Sequence, residues 1–277
     1  MTDTKEDIIT EDLADDDVKL DAKKDTLNIK ELDEEAIEQE NIKRHQEEKL
    51  LAWKPKTEIG RKIKSGEITS VDEIYETGKK ILEVEIIDHL FPGLESELLL
   101  VGQSKGKFGG GARRIFKQTQ KKTKEGNKPS FATMAVVGNR NGYVGVGYAK
   151  AKETVPAREK ALRKAKLSLF PIIRGSGSWL SSTNEPHSIP FAVKGKCGSV
   201  EITLMPAPVG KGLIIEKECK KILELAGIKD IWSKTNGQTG TKLNLVLACV
   251  EALKNLNKMK ISSSKEKELS IVKGNKL

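Results

Sequence analysis

Apolar positions along this chain change period several times, and the changes mark out its elements. From Lys79 to Leu90, Ile81, Leu82, Val84, Ile86, Ile87 and Leu90 are interleaved with Glu83, Glu85 and Asp88. That spacing predicts an amphipathic helix stopped before Pro92. A strand is predicted over Leu98 to Gly102, then a long polar loop from Gln103 to Ser130. Strands over Phe131 to Val137 and Tyr143 to Ala149 follow, joined through Gly138-Asn139-Arg140-Asn141-Gly142, whose Asn-Gly step suits the positive φ of a tight hairpin. A basic helix over Val155 to Leu169 tolerates Pro156 in its first turn and puts Ala161, Leu162, Ala165 and Leu169 on one face. The order helix–strand–strand–strand–helix is that of a small α+β module with both helices on one sheet face.

A second module begins near Pro186. Strands are predicted at Ile189–Val193 and Ser199–Met205, followed by a Pro-Gly loop from Pro206 to Gly212. A helix over Glu216 to Ala226 is capped at Gly227. A strand over Ile228 to Ser233 and a loop at Asn236-Gly237 come next. The last helix, Thr241 to Leu256, sets Leu243, Val246, Leu247, Val250 and Leu253 on one stripe. The domains predicted are thus 79–175 and 186–257, with a mobile basic tail at 258–277. Ahead of them lie an acidic, partly disordered extension at 1–50, with a helix over about 33–49, and a linker-like lead-in at 51–78. In the lead-in, Ser70 and Glu73 form a candidate capping box for a helix near Val71 to Tyr75.

Charge divides the chain more sharply than composition does. Residues 1–50 hold 18 Asp and Glu against 8 Lys and Arg, a net of −10; the whole chain carries +9, so the remainder carries +19. A polyanion is the natural partner of such a body, because each cation placed on a phosphate releases condensed counterions. No apolar run reaches the length of a membrane span, and no membrane partner is expected. The acidic start is neither a secretory signal nor a basic transit peptide. Cys197, Cys219 and Cys249 are far apart and form no CxxC pair, which indicates buried free thiols rather than a zinc site or disulfide framework.

No catalytic constellation emerges. Gly102-Gln103-Ser104-Lys105-Gly106-Lys107 has three residues between its glycines where a phosphate-binding P-loop needs four, and Phe108 follows. His45, His89 and His187 are scattered, and His187 is assigned a structural hydrogen bond rather than general-base work. No catalytic residue, metal ligand or cofactor is assigned.

The stretch from Gln103 to Ser130 carries nine Lys or Arg and one acid. Its glycines, Gly110 and Gly111 among them, let backbone approach a phosphate, and Arg113 and Arg114 can pair with phosphates in bidentate fashion. Lys105, Lys107, Lys117, Lys121, Lys122 and Lys124 extend the charge. Arg140 in the hairpin turn, Lys150 and Lys152 before the basic helix, and Arg158 on it complete the candidate RNA-binding set. Such a loop is expected to be mobile alone and ordered on RNA. Aromatics are 4% of the chain, too few for a ladder that stacks single-stranded bases.

Several segments, in order, resemble a known family: Trp53-Lys54-Pro55-Lys56-Thr57, Val137-Gly138-Asn139 with Asn141-Gly142-Tyr143-Val144-Gly145-Val146-Gly147, and Ala149-Lys150-Ala151-Lys152-Glu153. Arg174-Gly175-Ser176-Gly177-Ser178-Trp179 and Pro186-His187-Ser188-Ile189-Pro190-Phe191 follow. Then come Gly195-Lys196-Cys197-Gly198-Ser199-Val200, Pro206 to Leu213, Leu225 to Trp232, and Gly237-Gln238-Thr239. Over residues 53–256 the chain resembles ribosomal small-subunit protein five in its archaeal and eukaryotic branch, called protein two in eukaryotic subunits. The resemblance implies an α+β protein, a double-stranded-RNA-binding-like domain followed by a second α+β domain of a fold shared with several small-molecule kinases. It implies a cytoplasmic place in the small subunit, by the messenger entrance and near the decoding region. Implied partners are ribosomal RNA, messenger RNA and neighbouring ribosomal proteins, with roles in subunit assembly and translational accuracy. The family's glycine-arginine loop falls on Gly110, Gly111, Arg113 and Arg114, and its hairpin and helix cations on Arg140, Lys150, Lys152 and Arg158.

One departure stands out. In much of the family the Gly-Arg segment passes almost directly into the second strand, whereas here residues 115–130 intervene, and these are expected to reach additional RNA. Two other readings remain open at this level. One is a small-molecule or nucleotide kinase using the Pro206–Gly212 loop at a helix start, which magnesium and ATP would stabilise thermally. The other is a free duplex-RNA-binding protein, which would not sediment with small subunits.

Overall fold

The computed structural model describes residues 52–104, 111–180 and 185–274. The acidic extension and its expected helix lie outside them. The chain divides into two units at Lys54 and Pro55, and the architecture below belongs to the second.

The lead-in is folded rather than a bare linker. Helices α1 (Glu58–Lys64) and α2 (Val71–Glu76) are separated by Gly66, with α1 capped by Thr57, whose side chain accepts from the Gly60 N–H. Ser70 stands at the N-cap of α2, but its hydroxyl donates to the Glu73 carboxylate at 2.7 Å and makes no bond to the helix backbone, so the expected capping box is not formed. Helix α3 covers only Val84–Leu90. Its expected first turn is absent because the Glu83 carboxylate accepts from the backbone N–H groups of Lys56 and Thr57, at 2.9 and 2.6 Å, and residue 83 becomes the N-cap.

The first sheet holds β1 (Glu95–Leu98), β2 (Lys117–Thr123), β3 (Gly126–Gly138), β4 (Tyr143–Ala151) and β5 (Phe170–Pro171), all antiparallel where paired. β1 lies earlier than the expected Leu98–Gly102 strand. Helix α4 (Thr154–Leu167) crosses one face of β3 and β4, and α3 lies against α4. There Ala161 and Ala165 meet Ala135, Val137 and Ala149. A Cβ on Gly147 would come within 2.3 Å of the Ala161 carbonyl oxygen, so bare backbone is what lets the helix approach this closely.

The opposite face of that sheet is covered by the second half of the chain. A four-stranded sheet runs in the order β7 (Val193–Cys197), β8 (Val200–Pro206), β10 (Ile231–Asn236), β9 (Leu213–Ile214), with β9 parallel to β10. Helices α5 (Lys217–Ala226) and α6 (Lys242–Lys258) complete it. Met134, Val136 and Val144 of the first sheet share one continuous core with Leu204, Ile222 and Leu225. The β3–β4 turn fastens the two halves: the Arg140 and Gly142 N–H groups donate to the Leu225 and Ala226 carbonyls at 2.9 and 3.1 Å, filling carbonyls that the end of α5 leaves open. In that turn the positive φ values belong to Arg140 (54°) and to Gly142 (92°), so the glycine of the Asn-Gly step takes one as expected and Asn141 does not.

Several expected elements are shifted. Ile189 is fully buried but precedes the ladder, and β7 begins at Val193. β10 continues through Ser233-Lys234-Thr235-Asn236, a polar half that a hydrophobic pattern does not reveal. On α6 the expected Val246, Val250 and Leu253 are buried, the core face widens to Leu245, Cys249, Ala252 and Leu256, and Leu247 is exposed. The tail is not a loose end. Helix α7 (Ser263–Glu268) and β11 (Val272–Lys273) fold back, and β11 pairs antiparallel with β6 (Ile173–Arg174). Among the described residues no helix is long and apolar enough to cross a membrane.

Candidate nucleic-acid interface

The basic stretch expected as a loop is instead a β-ribbon from residue 117 onwards. β2 and the first half of β3 pair from Lys117↔Ala132 to Thr123↔Gly126. Lys124 and Glu125 turn the chain at negative φ between the paired Thr123 and Gly126, and Gly126 takes φ 115°, a conformation that favours glycine. Pro129 is tolerated because at that point β3 has an open edge: β4 pairs only from Phe131 onwards. Beyond Phe131, residues 119–123 and 126–130 carry the ribbon about 16 Å past the sheet.

Residues that pair across antiparallel strands share a face. Lys121 therefore sits directly opposite Lys128, and Lys117 and Lys150 flank Ala132 from either side. Like charges opposed across a ladder are destabilising in isolation. Here they make a row of cations along one face, running from Lys150 and Lys117 at the ribbon's base to Lys121 and Lys124 near its tip. Lys122 projects from the other face. Lys117, Lys121, Lys122, Lys124, Lys150, Lys152 and Arg158 are all exposed. The described residues offer none of them an ion pair, whereas Lys128 is held by Glu125 at 2.9 Å.

At the base, the Gly-Arg segment closes on itself. Gly102 N–H donates to the Arg114 carbonyl at 2.8 Å, Arg114 N–H to the Gln103 carbonyl at 3.1 Å, and Ser104 bridges Arg113. The Arg113 guanidinium reaches the Gly240 carbonyl at 3.2 Å, tying this stem to the loop before α6. Lys105, Lys107 and Gly110 lie outside the described residues, and Gly111 follows them with φ 93°. Beside Arg113 and Arg114, the half-buried Phe116 and Phe131 with Leu100, Gln118 and Thr154 line a hollow of about 400 Å³. Sequence reasoning missed this hollow, since it depends on two phenylalanines brought together only by the hairpin register. The structure sets Arg140 apart from the others. It lies at the far end of β3, some 12 residues or about 40 Å from the ribbon tip, and its guanidinium pairs with Glu95 at 2.7 Å.

The Pro206–Gly212 loop leads into β9, not into a helix. The start of α5 is filled by the protein's own Glu216, whose carboxylate accepts from the Glu218 and Cys219 N–H groups and pairs with Lys242 at 2.8 Å. No anion site is left there for a nucleotide. His187 is buried with both ring nitrogens near carbonyl oxygens, Glu185 at 3.0 Å and Ala207 at 3.2 Å, the structural use expected of it.

An α+β body from which a ribbon of exposed lysines projects has the surface of a polyanion-binding protein. Comparison with known proteins specifies the class further. Models of the ribosomal protein S5 N-terminal and C-terminal domains match residues 115–173 and 195–267. The small ribosomal subunit protein uS5 of Pyrobaculum aerophilum is 48% identical over 212 residues, 76% of this chain and 90% of that protein. Those of Nanoarchaeum equitans (45% over 209 residues, 76% and 90%) and Methanocaldococcus jannaschii (45% over 222 residues, 80% and 95%) are similar. The chain belongs to the ribosomal protein S5 family. It is a structural, non-enzymatic protein of the small ribosomal subunit, bound to ribosomal RNA and serving translation. The N-terminal match begins at residue 115, so the ribbon lies inside the family's span rather than ahead of it.

Proposed function

We propose that this protein acts in cytoplasmic ribosomes by neutralising and fixing ribosomal RNA near the decoding region and the messenger entrance, supporting subunit assembly and translational accuracy. The observation that carries the reading is the β2–β3 ribbon. Lys117, Lys121, Lys122 and Lys124 are exposed with no carboxylate partner among the described residues, and Lys121 faces Lys128 across the ladder, an arrangement that phosphates relieve. The α3–β1–β3–β4–α4 order supports a double-stranded-RNA-binding-like role for residues 79–175, with 186–257 as the second domain. On such a module, shape and phosphate contacts dominate over base reading. The contacts assigned are Arg113, Arg114, Lys117, Lys121, Lys122, Lys124, Lys150, Lys152 and Arg158, together with the Lys105–Gly111 segment. Messenger entering the subunit passes the same basic surface, beside neighbouring ribosomal proteins.

Crosslinking in cells followed by sequencing of the attached RNA tests this. Small-subunit ribosomal RNA should dominate, clustered near the decoding and messenger-entrance regions. Scattered messenger or duplex RNA, with ribosomal RNA at background, would favour a free RNA-binding protein instead.

A further inference from the structure

Away from the ribbon, a cleft of about 1010 Å³ opens where the β3–β4 turn and β6 meet α5. Arg174 lines it and is 94% buried, at 6% relative exposure. Its Nη2 donates to Asn141 Oδ1 at 2.6 Å and to the Gly274 carbonyl at 3.3 Å, and its Nε is buried without a partner. No described carboxylate pairs with it. Its Nη1 has no acceptor among the described residues and is open to the cleft. Burial holds this guanidinium below the usual arginine range, and of the described groups only the two neutral acceptors on Nη2 offset its desolvation. A buried charge of this kind calls for an anion.

The rim indicates which anion. Lys229 is exposed with no ion pair among the described residues, whereas Lys220 is taken by Glu224 at 3.6 Å and Arg140 by Glu95. Glu97, Glu185 and Glu224 also line the cleft. Three carboxylates repel a polyanionic chain, polyphosphate or polyglutamate alike, but leave room for one carboxylate and can accept hydrogen bonds from the peptide N–H groups beside it. We propose that this cleft binds a single Asp or Glu carboxylate of an otherwise uncharged polypeptide segment from a neighbouring protein of the small subunit, held between Arg174 Nη1 and the Lys229 ammonium. The partner's location rests on the ribosomal reading above; the carboxylate site does not.

The test is fluorescence anisotropy on the full chain with two labelled probes, a Gly-Ser peptide carrying one glutamate and an RNA duplex of about 16 base pairs. Arg174→Lys removes the fork but also disturbs Asn141 and Gly274, so Lys229→Glu on the exposed rim is the second variant, with melting curves as the folding control. Both variants should weaken the peptide by about tenfold or more, a lost charge-assisted bond, while the duplex changes less than about threefold. Lys121→Glu with Lys122→Glu should do the reverse. Absence of peptide binding, a peptide affinity untouched by the cleft variants, loss of the peptide with the ribbon variant, or its displacement by the duplex would overturn the proposal. Failure of duplex binding with the peptide response intact would sink the RNA contacts proposed for the ribbon and leave this site standing.

Discussion

Lys121 and Lys128 face one another across the ribbon at about the 5 Å separation of paired strand residues. Glu125 satisfies Lys128 only. Replacing Lys121 with Thr, a residue that favours strands, should therefore stabilise the free protein by about 0.2–1 kcal/mol, the usual scale of a cross-strand pair. The same change should weaken RNA binding and lower the slope of log affinity against log salt by about 0.7–0.9. Thermal melting and a salt titration read the two effects, and a variant that is both less stable and equally salt-sensitive would contradict the assignment. The thiols offer a second check at this scale. Cys219 and Cys249 are buried and Cys197 is half-buried. Hydrogen bonding to Cys249, together with burial, pushes the Cys219 thiol up and away from the reactive thiolate. Iodoacetamide at mildly alkaline pH should modify Cys197 alone in the folded chain, read by mass spectrometry, and all three after denaturation. Early modification of Cys219 would place it outside the core.

At the scale of elements, α5, α6 and α4 were legible to within a few residues because each carries a burial period and a recognisable stop. Gly227, for example, takes φ 80° as the cap of α5. What escaped was structure without an apolar signature. Gln118, Gln120 and Lys122 alternate with Lys117, Thr119 and Lys121, so the ribbon's strands have no hydrophobic face, and only the turn before Gly126 marks them. The cations of the interface were legible as a charge cluster. Their separation into a ribbon row and an isolated Arg140 was not, because Arg140 is fixed by Glu95, 45 residues away. The tail is a similar case: 17 polar-rich residues from Lys258 to Gly274 that hold position through β6, through Ser176 N–H to the Leu269 carbonyl, and through Arg174 to Gly274. Deleting residues 259–277 should lower the melting temperature by several degrees, at about 2–4 °C per kcal/mol for a body of this size. A melting curve unchanged by the truncation would mean that the strand pairing contributes nothing. Gly147→Ala should be more damaging, since its methyl would stand 2.3 Å from both the Ala161 carbonyl oxygen and the Ala165 nitrogen of a helix with no room to retreat.

Across the whole molecule, the two sheets and their shared core form one platform, and the ribbon is the part that leaves it. A rigid base gives a projecting basic ribbon a fixed direction, and on the function proposed above its lysines meet phosphates in register rather than as a diffuse cloud of charge. The measurement that tests this most directly is a hydroxyl-radical footprint of small subunits assembled with the intact chain and with a shortened one. In the shortened chain residues 119–130 are replaced by Asn-Gly, which joins the cross-strand partners Gln118 and Phe131 through a two-residue turn and leaves the body's register intact. The account predicts that the shortened protein still enters the subunit and that a discrete patch of ribosomal RNA near the decoding region loses its protection. Identical footprints from the two particles would show that the ribbon touches no RNA there, and would contradict it.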